Sequence, residues 1–253
     1  MVNLIIDIGN TFSKILVFRK EDIIYIQKQE QFFQDEIEAL VKRYNVERIL
    51  VSSVKGESPL PVSFVSGIEV VYFDYKTPVP IKNKYGTPET LGVDRLAGII
   101  GAKNIFSQKA VLVFDFGSCL TVDFADEEGN YFGGVISPGL KMRFNAMHSF
   151  TDKLPLIEVG ESFYEFNKQI GENTTESLMA GVINGMLFEI QGYIKKYNEK
   201  KIDLGIILCG GDASFFDSRL KNSIFAHQIL LEPNLVPIGL NTVVRYQHDK
   251  KDK

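Results

Sequence analysis

Asp7-Ile8-Gly9-Asn10-Thr11-Phe12-Ser13-Lys14 follows the apolar run Leu4-Ile5-Ile6 and runs into a second one, Ile15-Leu16-Val17-Phe18. Apolar, β-branched segments on both sides of a short polar stretch with a glycine read as strand, glycine turn, strand. The same order returns further along the chain. Asp115-Phe116-Gly117-Ser118-Cys119-Leu120-Thr121 lies between Val111-Leu112-Val113-Phe114 and Thr121-Val122-Asp123-Phe124. A hairpin of this kind presents backbone N–H groups and a carboxylate at one point, which suits a phosphate chain and its metal ion. Two of them imply two related halves acting on one phosphate chain, and point to phosphoryl transfer.

Outward from the first turn, residues 2–29 read as an antiparallel meander of strands Val2–Asp7, Phe12–Arg19 and Asp22–Gln29. Gln34–Tyr44 has helical spacing, and Arg48–Val54 suits a buried, parallel strand. Ile68–Phe73 is another strand. Asp74–Glu89, rich in Pro, Lys, Tyr and Gly, reads as a loop long enough to be functional. Thr90 is placed to cap a helix over Leu91–Phe106, whose Gly92, Ala97, Gly98, Gly101 and Ala102 predict close packing against another element. From Ala110 the meander pattern restarts, with a turn at 126–130 and a third strand Tyr131–Ile136. Helices are expected over Leu140–His148, Thr174–Lys200, Phe215–Asn222 and Pro237–Gln247, and strands over Asp203–Cys209 and His227–Leu231. The expected fold is α/β with mixed sheets, in two halves, 1–109 and 110–253, each opening with a meander.

The composition allows such a fold. Hydrophobic residues make up 45% of 253, enough for a real core, and the length admits one large domain or two moderate ones. The net charge of -4, with Lys and Arg scattered apart from the solvated Asp249–Lys253 tail, argues against a nucleic-acid partner. Two cysteines, Cys119 and Cys209, predict neither a structural disulfide nor a zinc site. The first residues lack a signal-peptide pattern, and no run reaches the ~20 apolar residues of a membrane span. The default expectation is a cytoplasmic protein that does not engage a membrane.

At Asp7–Lys14, Gly9 permits close backbone approach to an anion, Asn10, Thr11 and Ser13 add neutral donors, Asp7 suits Mg²⁺ or its waters, and Lys14 adds positive charge. The bland alternative is an ordinary hairpin with an Asx turn. Asp115 ends a buried strand, where a carboxylate is costly without a cation or donor partner, and Ser118 and Thr121 add hydroxyls. Asp123 stays open between a structural and a site role. Gly210-Gly211-Asp212 is a third strand-to-glycine turn. In Gly92-Val93-Asp94-Arg95, Asp94 suits acceptance of a proton from a substrate hydroxyl and Arg95 suits anchoring of a carboxylate or another oxygen. The alternative there is an acid favourable to the helix dipole with a nearby arginine partner.

Together Asp7-Ile8-Gly9-Asn10-Thr11, Gly92-Val93-Asp94-Arg95, Asp115–Thr121, Gly133-Gly134-Val135-Ile136-Ser137-Pro138-Gly139, Gly171-Glu172-Asn173-Thr174 and Gly210-Gly211-Asp212 resemble, in order, the type III pantothenate kinases. These belong to the actin/hexokinase/heat-shock ATPase superfamily. The resemblance spans nearly the whole chain. It implies two ribonuclease-H-like halves with ATP in the cleft between them, a homodimer, and transfer of the γ-phosphoryl group of ATP to pantothenate, the first step of coenzyme A synthesis. By the same resemblance Asp94 is the base; Tyr85, Gly92, Val93, Asp94 and Arg95 line the pantothenate pocket; and Thr174 reaches the substrate from the partner subunit, near the interface. Asp7, Ile8, Gly9, Asn10, Thr11, Phe12, Ser13, Lys14 and Ser118 hold ATP. Asp115 supports a monovalent cation, K⁺ or NH₄⁺, required besides Mg²⁺. Ser118-Cys119 stands where many members have Thr-Ala; the hydroxyl is kept. Rival readings are a kinase of another small acid or sugar on this fold, and a catalytically idle ATP-binding regulator.

Overall fold

The computed structural model describes residues 1–55, 64–200, 202–221 and 223–251. Asn222, the expected end of one helix, and Asp252 and Lys253 of the tail lie outside the described residues. In chain order the elements are β1 (Val2–Ile8), β2 (Ser13–Arg19), β3 (Asp22–Gln29), α1 (Gln34–Tyr44), β4 (Arg48–Ser53), β5 (Phe64–Val65), β6 (Ile68–Tyr72), β7 (Lys82–Asn83), α2 (Val93–Ile105), β8 (Ala110–Phe116), β9 (Cys119–Ala125), β10 (Asn130–Pro138), α3 (Leu140–Ser149), α4 (Glu161–Tyr164), α5 (Thr174–Asn198), β11 (Leu204–Gly210), α6 (Ala213–Leu220), β12 (Ile229–Leu231) and α7 (Leu235–Lys251). The two-residue strands β5 and β7 and the single turn α4 are too short to leave a periodic signal, and the sequence reading did not include them.

The chain forms two compact units. The first comprises residues 1–108, 125–133 and 234–253, the second 109–124 and 134–233. One unit boundary thus lies beside residue 109, but the C-terminal helix and the turn before β10 belong with the N-terminal residues.

The sheet of the first unit has the order β3-β2-β1-β4-β6-β5. Strands β1, β2 and β3 are an antiparallel meander, while β4 runs parallel to β1 and β6 parallel to β4. Leu4, Ile6, Ile8, Ile15, Val17, Ile49 and Val51 join the apolar stripe of α1 (Ile37, Leu40, Val41) in one core. The opposite face of β1 carries the alternate residues, as the two-residue period of a strand requires. There the buried Asn3 donates its Nδ2 to Oδ1 of Asn241 in α7, 2.7 Å away.

Helices α2 and α7 pack through their small residues. A Cβ on Gly101 would come 2.4 Å from the Leu235 carbonyl oxygen, and one on Gly239 would come 1.9 Å from that of Ala97. The backbones therefore approach closer than any larger residue allows, which is the close packing expected from the glycines and alanines of α2. Also in this unit, β7 pairs in parallel with the start of β10.

In the second unit the sheet runs β12-β11-β8-β9-β10. With β11 parallel to β8 and β12 parallel to β11, it repeats the β6-β4-β1-β2-β3 order of the first unit strand for strand. One face is covered by α5, whose Leu178, Val182, Ile183, Met186, Ile190 and Ile194 recur at helical spacing into a core with Leu112, Phe114, Ile206, Leu208 and Phe216. Among the described residues, no helix is long and apolar enough to cross a membrane.

Candidate active site

The first glycine turn is closed by a hydrogen bond from the Gly9 N–H to the Phe12 carbonyl, 3.1 Å. A Cβ on Gly9 would lie 2.9 Å from that oxygen, so the turn closes this tightly only with glycine. Asn10, Thr11 and Phe12 are exposed and Ser13 is buried. Strand pairing sets Asp7 opposite Lys14, Lys14 opposite Lys28, and Asp7 opposite Ser52 of β4. Paired residues project from the same face, so Lys28, Lys14, Asp7 and Ser52 form a row across four strands. Lys14 Nζ lies 3.4 Å from Asn234 Oδ1, and Lys28 Nζ sits 4.4 Å from the centroid of the Phe12 ring. The fully buried Ser52 hydroxyl has no hydrogen-bond partner among the described residues.

The Asp7 carboxyl is strongly perturbed. Burial pushes it up to about 6; Lys14 opposes the shift and the charge of Asp94 adds to it. Asp7 and Asp94, far apart in sequence, thus feel each other electrostatically.

The structure moves the cap of α2. Thr90 belongs to a short 3-10 turn, Pro88–Thr90, where its hydroxyl donates to the Thr87 carbonyl; the residue preceding α2 is Gly92. Thr90 is taken up by that turn, its N–H also donating to the Thr87 carbonyl at 3.0 Å. Asp94 folds back so that its Oδ1 accepts the Arg95 N–H at 2.9 Å, and a Cβ on Gly92 would be 2.6 Å from that oxygen. Glycine at 92 leaves room for the carboxylate at a helix start, where the positive end of the helix favours its charge. Val93 is the first residue of the helix. Arg95 is buried, with its guanidinium 5.7 Å from the Tyr85 ring centroid. Tyr85 stacks at 11° on Tyr131, with centroids 6.4 Å apart. Gly133 completes the fit: its φ of 99° suits only glycine, and a Cβ there would come 2.7 Å from the Tyr85 ring. Tyr85 and Arg95, grouped in one pocket by the resemblance, are neighbours.

In the second unit the Gly117 N–H donates to the Cys119 carbonyl at 3.0 Å, and the Gly139 N–H donates to the Ser118 carbonyl at 3.2 Å. Gly139 lies so close that a Cβ would be 2.5 Å from the Gly117 oxygen. Asp115 is bordered by Gly210, whose φ is 92° and whose Cβ would fall 2.4 Å from Asp115 Oδ1. The third glycine turn therefore packs on the second, and Asp212, half-buried, donates its N–H to the Phe116 carbonyl. Burial pushes the Asp212 carboxyl up, opposed by Lys141. Asp123 is almost fully buried against Gly134. Thr174 is exposed at the first position of α5, after Asn173, whose side chain accepts the Glu176 N–H. Lys168 pairs with Glu172 and Glu176 around this helix start. Neither Cys119 nor Cys209 is in a disulfide.

The sequence reading missed Ser52, Lys28 and Asn234. A meander with fixed turns sets Lys28 opposite Lys14, so pairing register points to Lys28; Ser52 on the parallel β4 and the Asn234 contact join distant segments and leave no local signal.

The sequence model of the type III pantothenate kinases matches residues 3–196. The chain is 38% identical over 251 residues to a type III pantothenate kinase of Bacteroides fragilis, covering 98% of this chain and all of that one. It is 40% identical over 247 residues to the one of Flavobacterium psychrophilum, covering 96% and 99%. Among solved structures it is similar to the activator of the 2-hydroxyisocaproyl-CoA dehydratase from Clostridium difficile with bound ADPNP, with a TM-score of 0.56 and 12% identity over 100% of this chain and 98% of that one. At that identity the likeness shows the fold, that of the actin- and hexokinase-like ATPases and kinases. The chain belongs to the type III pantothenate kinase family.

Proposed function

We propose that the chain transfers the γ-phosphoryl group of ATP to the primary hydroxyl of pantothenate, giving 4'-phosphopantothenate, with Asp94 as the base. Family membership supplies the enzyme class, a phosphotransferase, and its place in coenzyme A synthesis. The observation that carries the assignment of residues is the juxtaposition of Asp94 with Asp7 at the glycine turn. A phosphate-side acid and an acceptor-side acid within electrostatic reach of each other is what in-line transfer between two substrates needs.

Asp94 takes the hydroxyl proton, Arg95 engages the carboxylate of pantothenate, and Gly92, Val93 and Tyr85 shape its pocket. The Tyr85–Arg95 contact supports that grouping. The backbone from Ile8 to Ser13, Lys14 and the Ser118 hydroxyl bind the ATP phosphates. Asp7 and the unpartnered Ser52 hydroxyl on its row fit Mg²⁺ with its waters. Bound Mg²⁺ neutralises charge on the transferring phosphoryl group. Asp115, whose carboxylate is packed closely by the Gly210 backbone, is assigned to a monovalent cation, K⁺ or NH₄⁺. Thr174 serves the pantothenate site of a partner subunit in a homodimer. Exposed apolar residues on the second unit, Phe188 of α5, Ile136 of β10 and Met142 of α3, support an interface there. The enzyme acts in the cytoplasm.

The test is ATP consumption with and without pantothenate in potassium buffer, repeated in sodium buffer. Turnover that requires pantothenate and falls steeply in sodium supports the assignment. Pantothenate-independent hydrolysis, or full turnover in sodium, contradicts the acceptor or the Asp115 role respectively.

A further inference from the structure

Three charged or polar side chains of the second unit converge on the segment that presses against the Ser118 turn. Arg143, one turn into α3, donates from Nε to the Pro138 carbonyl at 2.8 Å and from Nη2 to Ser137 Oγ at 3.2 Å. The same Nη2 meets Glu189 Oε2 on α5 at 2.5 Å. Ser137 Oγ in turn donates to Glu189 Oε1 at 2.7 Å. Both charged side chains are about one-fifth exposed, so the pair is partly shielded from water, and each carboxylate oxygen is used. The contact links the end of β10 to the middle of α5.

The residue that follows Pro138 is Gly139. Its N–H donates to the Ser118 carbonyl, and its α-carbon sits where even a methyl group would strike the Gly117 and Ser118 carbonyl oxygens, at 2.5 and 2.6 Å. So the backbone immediately beside the Arg143 fork sets the position of the Gly117-Ser118 backbone. A flexible loop at 137–139 would let that turn shift by several tenths of an ångström, and phosphate binding by backbone donors and a single hydroxyl is sensitive to such shifts.

From this geometry we infer that Arg143 and Glu189 are positioning residues for the nucleotide. They hold Ser137-Pro138-Gly139 rigidly against the Gly117-Ser118 turn and thereby fix the Ser118 hydroxyl for ATP phosphate. The inference rests on the proposed role of Ser118 in binding ATP. A guanidinium is needed because one planar group serves the Pro138 carbonyl through Nε and Glu189 through Nη2 together; an ammonium at the end of a lysine is a single point and cannot keep both.

The test is a double-mutant cycle on ATP affinity, measured by calorimetry on the full-length protein, with S118A, R143K, R143A, E189Q and the pairs S118A/R143A and S118A/E189Q. The expected result is that R143A and R143K each weaken ATP binding about 5- to 20-fold while pantothenate KM changes less than 2-fold. The pair S118A/R143A should be no weaker than the worse single variant, because R143A acts through Ser118. A merely structural ion pair would lower the melting temperature but combine additively with S118A. Additive losses, or an R143K variant that binds ATP like the parent, overturn the inference. If S118A itself leaves ATP affinity intact, the underlying role of Ser118 fails instead, and the two failures are thereby separated. Circular dichroism of each variant confirms that the fold is kept; should R143A fail to fold, R143K and E189Q carry the same comparison.

Discussion

Replacing Asp7 by Asn should make the ligand-free protein more stable, and only at neutral and alkaline pH. In the folded chain burial holds the Asp7 carboxyl near 6, against 3.8 for an unperturbed aspartate. Below pH 3.8 the group is protonated in both the folded and the unfolded state and contributes nothing. Between 3.8 and 6 the unfolded chain releases its proton while the folded chain keeps it, so stability falls as pH rises. Above 6 the folded state carries the whole cost of an ionised, desolvated carboxylate. A rise from 3.8 to about 6 corresponds to about 3 kcal/mol. Asn cannot ionise and avoids that cost, although its amide still has to find partners, so the expected gain is about 1–3 kcal/mol at pH 8, or several degrees in Tm for a chain of this size. Denaturant melts of both proteins in chelator at pH 4, 6 and 8 measure it. The gain should be near zero at pH 4 and largest at pH 8. With Mg²⁺ and ATP added, the order should reverse, because only the parent gains ligand stabilisation. A D7N protein that is equally destabilised at pH 4 and pH 8 refutes the reasoning, since the carboxylate would then be a stabilising partner rather than a strained charge kept for function.

Other expectations can be checked with similar means. Asp94→Asn should retain ATP binding and lose kcat by ~10²-fold or more, the scale of a general base; a fast variant moves the base elsewhere. Gly92→Ala should cost activity with little loss of stability, since its methyl group meets the Asp94 carboxylate first; kcat unaffected by this change contradicts the folded-back Asp94. Gly239→Ala, which drives a methyl group into the Ala97 carbonyl, should destabilise the protein by about 1–3 kcal/mol or more in a denaturant melt. Tyr85→Ala should raise the KM for pantothenate more than that for ATP, because Tyr85 packs beside Arg95.

The parts of the fold visible in the sequence are those set by local pattern. The strand-turn-strand units around Gly9 and Gly117, the apolar stripe of α5 and the small residues of α2 all follow from spacing and residue size, and the structure has them. What escaped depends on contacts between distant segments. Thr90 has the chemistry of a helix cap, but its hydroxyl and N–H are engaged by the Thr87 carbonyl in the preceding turn, and α2 starts after Gly92. The grouping of the C-terminal helix with the N-terminal unit follows from the Gly101 and Gly239 contacts, which link residues that no local window sees together. The candidate site residues come from motifs; that Asp94 acts electrostatically on Asp7, or that Gly133 makes room for Tyr85, is tertiary geometry.

The most direct test of the central claim follows the phosphoryl group itself. Single-turnover incubation with ATP labelled at the γ-position, pantothenate, Mg²⁺ and K⁺ should place label on the primary hydroxyl of pantothenate with the parent protein, and leave it on ATP with D94N at equal nucleotide occupancy. Label released as inorganic phosphate regardless of pantothenate, or transferred equally well by D94N, contradicts the account.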